Sequence, residues 1–154
     1  MKKTIALIAV IILCWLSQVK GSGTDDIIGI LGIWNNEDGR AKIEVFHCDG
    51  HYCGRIVWLK EPNYPPGDKS GLAGKPRVDL ENPNRDLRGR PLLGLQIMTG
   101  FDYLGDGVWG KGTIYDPESG HTYKGKITVE SPQRLILRGY IGIPLFGRTS
   151  VWSR

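Results

Sequence analysis

The chain has 154 residues, of which 22 are Gly and 9 are Pro, and hydrophobic residues make up 40%. This length predicts one domain, and so much Gly and Pro excludes helical bundles and coiled coils, which need long stretches without them. The apolar content excludes a disordered chain, and 20 basic against 16 acidic residues give a formal charge of +4. An all-β domain rich in turns is the class that remains.

The N-terminus has the pattern of a secretory signal peptide. Lys2 and Lys3 precede a 12-residue apolar run over 5–16, and small residues follow it. A membrane anchor is the weaker alternative, because 12 residues are too few to span a bilayer core of about 30 Å. We therefore expect residues 1–23 to be a cleaved leader. Residues 24–154 would form the exported domain, periplasmic or secreted, without a stable membrane span.

Removal of this leader would change the charge of the protein. Residues 1–23 hold Lys2, Lys3 and Lys20 and no acid, so 17 basic and 16 acidic residues remain, a formal charge of +1. Binding to nucleic acid depends on a strong basic field. We therefore expect no nucleic-acid partner.

The rest of the chain reads as short strands separated by turn signals such as Asp38-Gly39 and Asp106-Gly107. Eight strands are predicted, over residues 30–36, 42–48, 52–60, 92–98, 108–115, 121–130, 134–141 and 147–153. Most connections between them are tight turns, which favours a closed, mainly antiparallel up-and-down barrel over a sandwich. An eight-stranded barrel has room for its own side chains or for one small ligand.

Two cysteines, Cys48 and Cys53, follow the leader, and an even pair in an exported protein indicates a disulfide. A four-residue loop over 49–52 would place them opposite each other, whereas a two-residue turn at Asp49-Gly50 would place them on a strained diagonal. A metal site that also uses His47 and His51 is the weaker alternative. His47 and Cys48 are adjacent on a strand and point to opposite faces, so we expect no metal and no cofactor.

Several blocks of the sequence, taken together and in order, resemble a bacterial family of small exported proteins of unknown function with a lipocalin-like barrel. The matching blocks are Gly32-Ile33-Trp34, Cys48 to Leu59, Asn82-Pro83, Leu87 to Leu92, Gly94-Leu95, Gly100-Phe101, Ile114 to Pro117, Thr122-Tyr123, Arg138 to Tyr140, Gly147 to Thr149 and Trp152 to Arg154. The resemblance implies an eight-stranded lipocalin-like fold and export, and no established activity. That family has an acid at the position of Asn84, which argues against a cation site built on Asp79, Asn82 and Asn84.

The opening Gly32-Ile33-Trp34 is also similar to the Gly-x-Trp signature of lipocalins. In lipocalins the Trp closes one end of the barrel, and a basic side chain near the chain end covers it. The resemblance implies this role for Trp34, covered by Arg148 or Arg154 through stacking of a guanidinium on the indole.

Two residues of the seventh predicted strand are candidates for binding an anionic head group. Arg138 and Tyr140 share one face of an otherwise apolar strand, where a guanidinium fork and a hydroxyl could hold a carboxylate. Arg-x-Tyr on a late strand is similar to the anion motif of fatty-acid-binding proteins. The alternative, favoured by the pattern alone, is that Leu135, Leu137 and Ile141 face the core and Arg138 points outward.

Aromatic side chains could line a ligand cavity or simply pack the core. The candidates for such a lining are Trp58, Trp109, Tyr115 and Tyr123. His121 follows Gly120 and is expected to be a solvated residue at the start of a strand.

The long irregular segment over 61–91 holds Asp79, Asn82, Asp86, Arg88 and Arg90. Long loops often carry function, but an ion-paired cap over the barrel mouth is the favoured interpretation. The chain has no nucleophile-elbow, phosphate-loop or zinc-protease motif, which makes an enzyme the less favoured class and leaves a hydrolase in this loop a distant third hypothesis.

The sequence therefore predicts an exported barrel that binds a small apolar or amphipathic ligand, with a carboxylate head as one option. The competing hypothesis is an envelope interaction module with a filled barrel. Both are compatible with a monomer or a homodimer. A continuous cavity of a few hundred Å³ inside the barrel would distinguish the first from the second.

Overall fold

The computed structural model describes residues 29–154, and their strands form one sheet that closes on itself. The predicted leader over 1–23, with Cys14, lies outside the described residues. The described part contains nine strands: β1 (Gly32–Asn35), β2 (Ala41–Cys48), β3 (His51–Leu59), β4 (Gln96–Gly105), β5 (Val108–Gly110), β6 (Thr113–Asp116), β7 (His121–Ser131), β8 (Arg134–Tyr140) and β9 (Arg148–Ser153).

The ring of strands has eight positions. Strands β1, β2, β3 and β4 pair in sequence order, and so do β7, β8 and β9. β1 also pairs with β9, which joins the two ends of the chain of strands. The short strands β5 and β6 both lie between β4 and β7 and share one position. All of these pairings are antiparallel. The predicted all-β, eight-stranded, up-and-down barrel is therefore confirmed.

Two predicted strand boundaries are wrong, and both errors have a local backbone cause. The predicted strand 108–115 is interrupted at Lys111, whose φ of 64° is left-handed and ends the ladder. The predicted strand 92–98 begins only at Gln96, because Leu95 and Leu92 close a turn through Gly94 with φ 86°. That strand then continues to Gly105, past the end expected from the sequence.

The glycines near this break accommodate one aromatic ring. A Cβ atom at Gly112 or at Gly125 would overlap the ring of Phe101, which is fully buried. These glycines therefore mark the close approach of a core side chain from β4.

The two ends of the barrel differ. At the closed end lie the turns 49–50, 106–107 and 132–133, and at the open end lie the connections 36–40, 60–95, 117–120 and 141–147. The largest buried side chains are Trp34, Trp109 and Phe101, none of which is exposed to solvent. Trp109 packs between Tyr52 and Tyr103, with ring centroids 5.9 and 4.9 Å away.

Trp34 and Arg154 seal the closed end. The indole of Trp34 donates to the Ile30 carbonyl at 2.8 Å, and the Arg154 guanidinium lies 4.0 Å from the ring centroid. The same guanidinium donates to three backbone carbonyls, those of Gly29, Leu31 and Pro132. Arg148, the other residue considered for this role, lies at the open end of β9 instead.

The Cys48–Cys53 disulfide crosses the β2–β3 hairpin on a diagonal. Cys48 pairs with His51, and Cys53 pairs with Phe46, so the turn has only two residues, Asp49 and Gly50. Both turn residues have positive φ, as this tight hairpin type requires. The Cα atoms of the cysteines are 5.9 Å apart, within the ordinary bridging distance. The predicted disulfide is confirmed, and of the two expected arrangements it has the diagonal one of a two-residue turn.

Candidate functional site

A cavity of about 580 Å³ opens at the open end of the barrel. Its volume lies within the range of about 300 to 1,000 Å³ that is typical of small-molecule sites. The closed half of the barrel, by contrast, is filled by Phe101 and Trp109. The barrel is therefore half core and half cavity.

The floor of the cavity is apolar. It is formed by inward-facing side chains of six strands, namely Ile43, Ile56, Ile97, Ile114, Leu137 and Trp152. Along β9 the inward residues change from charged to apolar with depth, because Arg148 lies at the mouth, Ser150 below it and Trp152 at the floor. The Trp152 indole donates to the Ser150 hydroxyl at 3.1 Å, so this buried N–H has a partner without a ligand.

The long connection over 60–95 forms one wall of the cavity. Tyr64, Val78, Leu80 and Leu92 contribute its apolar lining. A Cβ at Gly120 would overlap the Glu81 carbonyl, which shows how closely this connection packs against the β6–β7 turn.

A buried carboxylate holds this wall in place. Asp79 is fully buried and accepts hydrogen bonds from the Tyr115 hydroxyl at 2.6 Å, from the Asn82 amide at 2.8 Å and from Arg90 at 2.9 Å. Arg88 donates to the Asn82 carbonyl at 2.7 Å. A buried carboxylate is tolerated only when it is paired and hydrogen-bonded in this way. This part of the loop cluster is therefore a self-satisfied brace, which agrees with the cap interpretation rather than with a reactive site.

Tyr115 belongs both to the brace and to the cavity lining. Burial raises the pKa of its phenol above the ordinary 10.0, and the hydrogen bond to Asp79 raises that pKa further. The hydroxyl therefore remains a donor to Asp79 at neutral pH and is not a candidate base.

The mouth of the cavity carries charges of both signs. Two of its arginines are already paired, Arg40 with Asp38 and Glu118, and Arg77 with Glu61. Lys60 and Arg148 also line the cavity, and neither has an acid within 4 Å among residues 29–154. A ligand could therefore meet a free cation only at the rim.

The structure places Arg138 and Tyr140 on the outside of the barrel. Leu135 and Leu137, which alternate with them, are buried. The expectation that Ile141 also faces the core is wrong, because β8 ends at Tyr140 and Ile141 is 69% exposed. Arg138 donates to the Pro144 carbonyl, the Leu145 carbonyl and the Thr149 hydroxyl at 2.5 to 3.1 Å. The assignment of Arg138 and Tyr140 to a ligand head group is thus corrected, because strand alternation turns the arginine away from the cavity.

The aromatic candidates are distributed over three environments. Trp58 is 42% exposed on the outside of β3, with the Lys42 ammonium 5.4 Å from its ring centroid, so it does not face the cavity. Trp109 is core at the closed end and lies outside the cavity lining. Tyr115 is the one of these residues that lines the cavity, while Tyr123 is half-buried beside the exposed His121.

Sequence reasoning missed most of the cavity lining. Isoleucines and Leu137 at inward positions look the same in sequence whether they contact a cavity or each other. Arg148, Ser150 and Trp152 alternate along β9, so strand alternation is the signal that could have placed them on one face.

The described residues 29–154 contain no cluster of three or more His, Cys, Asp or Glu side chains placed to hold a metal ion. Over the same range, the structure has no helix with the length and apolarity needed to cross a membrane.

Comparison with known proteins agrees with this architecture. A family model described as an uncharacterized protein conserved in bacteria (DUF2147) matches residues 32–154. The fold is similar to that of protein HP1028 from Helicobacter pylori, which is described as belonging to the lipocalin family. The TM-score is 0.66 and the identity 22%, over 80% of this chain and 81% of that one. No curated protein matches the chain in sequence.

Proposed function

Because the chain belongs to the bacterial DUF2147 family and has a lipocalin-like barrel, we propose that it binds a small amphipathic molecule inside that barrel. The observation that carries this proposal is the cavity of about 580 Å³ with an apolar floor and a charged rim. A filled barrel would have favoured the competing hypothesis of an interaction module. The disulfide is consistent with the exported location that this proposal assumes.

The lining suggests how such a ligand would lie. An apolar tail would contact Trp152, Leu137 and the isoleucines of the floor, where burial of each methylene contributes about 0.8 kcal/mol. The head group would remain at the rim, within reach of Arg148, which has no acid within 4 Å among residues 29–154. A carboxylate is therefore the favoured head group, and Arg148 replaces Arg138 as its expected contact.

The test is the titration of a fatty acid that carries a dansyl fluorophore. Ser150→Phe places a ring in the cavity, and Val151→Phe adds the same ring to the outer face of the same strand. We expect Ser150→Phe to weaken binding at least tenfold and Val151→Phe to leave it within twofold. Equal affinities for both variants, or no binding by the unmutated protein, would overturn the proposal.

The head-group assignment has a separate test with the same probe. Arg148→Met should weaken binding of the fatty acid by about fivefold, a modest effect because an exposed charge is screened by solvent, and should not affect the corresponding alcohol. Arg138→Met should change neither affinity, because that side chain lies outside the barrel. A loss caused by Arg138→Met alone would contradict the assignment.

A further inference from the structure

The β8–β9 connection exposes an apolar tip beside the barrel mouth. Ile141, Ile143, Leu145 and Phe146 are 69%, 54%, 74% and 79% exposed. None of them lines the cavity. Four large apolar side chains within six residues are unusual on the surface of a soluble domain and mark a site of contact.

The tip is held in place rather than left free. The Arg138 guanidinium donates to the carbonyls of Pro144 and Leu145 and to the Thr149 hydroxyl at the start of β9. These bonds satisfy the backbone on the inner side of the connection while its apolar side chains face solvent. This is the role that the structure gives to the arginine of β8.

Cations with no acidic partner among residues 29–154 lie beside the tip. Lys124 pairs in register with Tyr140, and Lys126 with Arg138, so these side chains share the outer face of β7 and β8 below the tip. Neither lysine, nor Arg138 or Arg148, has an acid within 4 Å among residues 29–154.

The acids nearest the tip lie at the cavity mouth rather than on this outer face. Glu37, Asp38, Asp116 and Glu118 line the cavity, and Arg40 pairs with Asp38 and Glu118. Glu130, at the far end of β7, is paired with Arg134. The outer face of β7 and β8 beside the tip is therefore basic, whereas the mouth carries more acids than cations.

We infer that the tip over 141–146 docks the barrel on an anionic lipid surface. A projecting apolar tip beside a basic face has the chemistry of segments that insert side chains at the headgroup boundary while cations contact lipid phosphates. The cations lie on the outer face of β7 and β8, so docking would place this face against the bilayer with the cavity mouth beside it. This inference does not depend on whether the cavity holds a ligand.

The test is co-sedimentation of the protein, as recovered from expressing cells, with vesicles of phosphatidylglycerol and phosphatidylcholine. Leu145→Ser combined with Phe146→Ser should reduce binding at least tenfold, and Lys124→Gln combined with Lys126→Gln by about tenfold. The matched control is Leu104→Ser, which removes a 51% exposed leucine near the closed end and should have no effect. Thermal unfolding confirms that each variant is folded.

A second measurement detects insertion of the tip itself and does not depend on membrane contacts made by other parts of the chain. Phe146→Trp should show a blue-shifted emission with these vesicles and quenching by brominated lipid. No binding by the unmutated protein, equal binding by the Leu145 and Phe146 variant, or no quenching at position 146 would overturn the inference. Equal binding to pure phosphatidylcholine would overturn the choice of an anionic surface. Dissociation of a dimer by the tip variant would assign the tip to a second copy of the chain instead.

Discussion

The two halves of the barrel use the same strands for opposite purposes. In the closed half, aromatic rings from β1, β4 and β5 fill the interior, and glycines at 112 and 125 make room for one of them. In the open half, aliphatic side chains line a cavity, and a buried Asp79 brace holds a long loop against the mouth. The difference shows that core packing at one end of a closed sheet can stabilise the fold while the other end remains open as a cavity.

The largest expected effect comes from two leucines on the same face of β8. Leu135 is 1% exposed in the closed half, and Leu137 lines the cavity. Leu135→Ala should reduce the free energy of unfolding by about 3 to 5 kcal/mol, while Leu137→Ala should cost about 2 kcal/mol, because a side chain beside an existing cavity has fewer contacts to lose. Urea unfolding of both variants measures this. Equal losses would contradict a half-filled barrel.

Two arginines six residues apart sharpen the same comparison. Arg154 covers Trp34 and donates to three carbonyls, whereas Arg148 lies at the mouth and has no acid within 4 Å among residues 29–154. Arg154→Met should therefore destabilise the fold by about 2 kcal/mol. Arg148→Met should change stability by less than about 0.5 kcal/mol, as at ordinary surface positions. A shift in melting temperature that is larger for Arg148→Met would contradict the roles assigned to them.

The disulfide should contribute less to the closed end than the packed rings do. Cys48 and Cys53 are five positions apart. Closing a loop this short lowers the conformational entropy of the unfolded chain, which stabilises the fold by about 2 kcal/mol. Unfolding with and without a reductant measures this contribution. Titration of the unfolded, unreduced domain should find neither of these two cysteines as a free thiol, and labelling of both would contradict the bridge.

The smallest effect concerns the pH dependence of the open end. Burial raises the pKa of Tyr115 above 10.0 in the folded protein. The protonated phenol therefore contributes its full share of the free energy of unfolding below pH 10. That contribution is lost as the pH rises through the pKa of Tyr115 in the folded protein. Tyr115→Phe should flatten this alkaline loss of stability.

Tyr52, at the closed end, supplies the control for this experiment. Its pKa is also raised by burial, and it is remote from Asp79. Tyr52→Phe should remove its own share of the alkaline loss and leave the remainder, which belongs to Tyr115. Denaturant midpoints between pH 8 and 11 measure both slopes, and an unchanged slope in Tyr115→Phe would contradict its burial at the brace.

The fold was predictable from sequence to a greater extent than the site was. Turn signals and alternation predicted eight barrel positions and the disulfide, because these depend on local chemistry. The break at Lys111 and the late start of β4 depend on how Phe101 and the turn at Gly94 fit their surroundings, which a single strand does not reveal.

The site was less predictable because it depends on space rather than on residue type. Arg138 drew attention as a charge in an apolar strand, but alternation with Leu137 turned it outward to hold the 141–146 tip. Nothing in the sequence distinguishes the leucine that faces a cavity from the leucine two residues earlier that faces a ring. Only the assembled barrel separates them.

The central claim, that the open half of the barrel holds an amphipathic ligand, is tested most directly by native mass spectrometry of the protein purified from the cells that make it. The unmutated protein should carry a small-molecule adduct that dissociates on activation, and the Ser150→Phe protein from the same cells should lack it. The same adduct on both proteins, or its absence from the unmutated protein, would contradict the account.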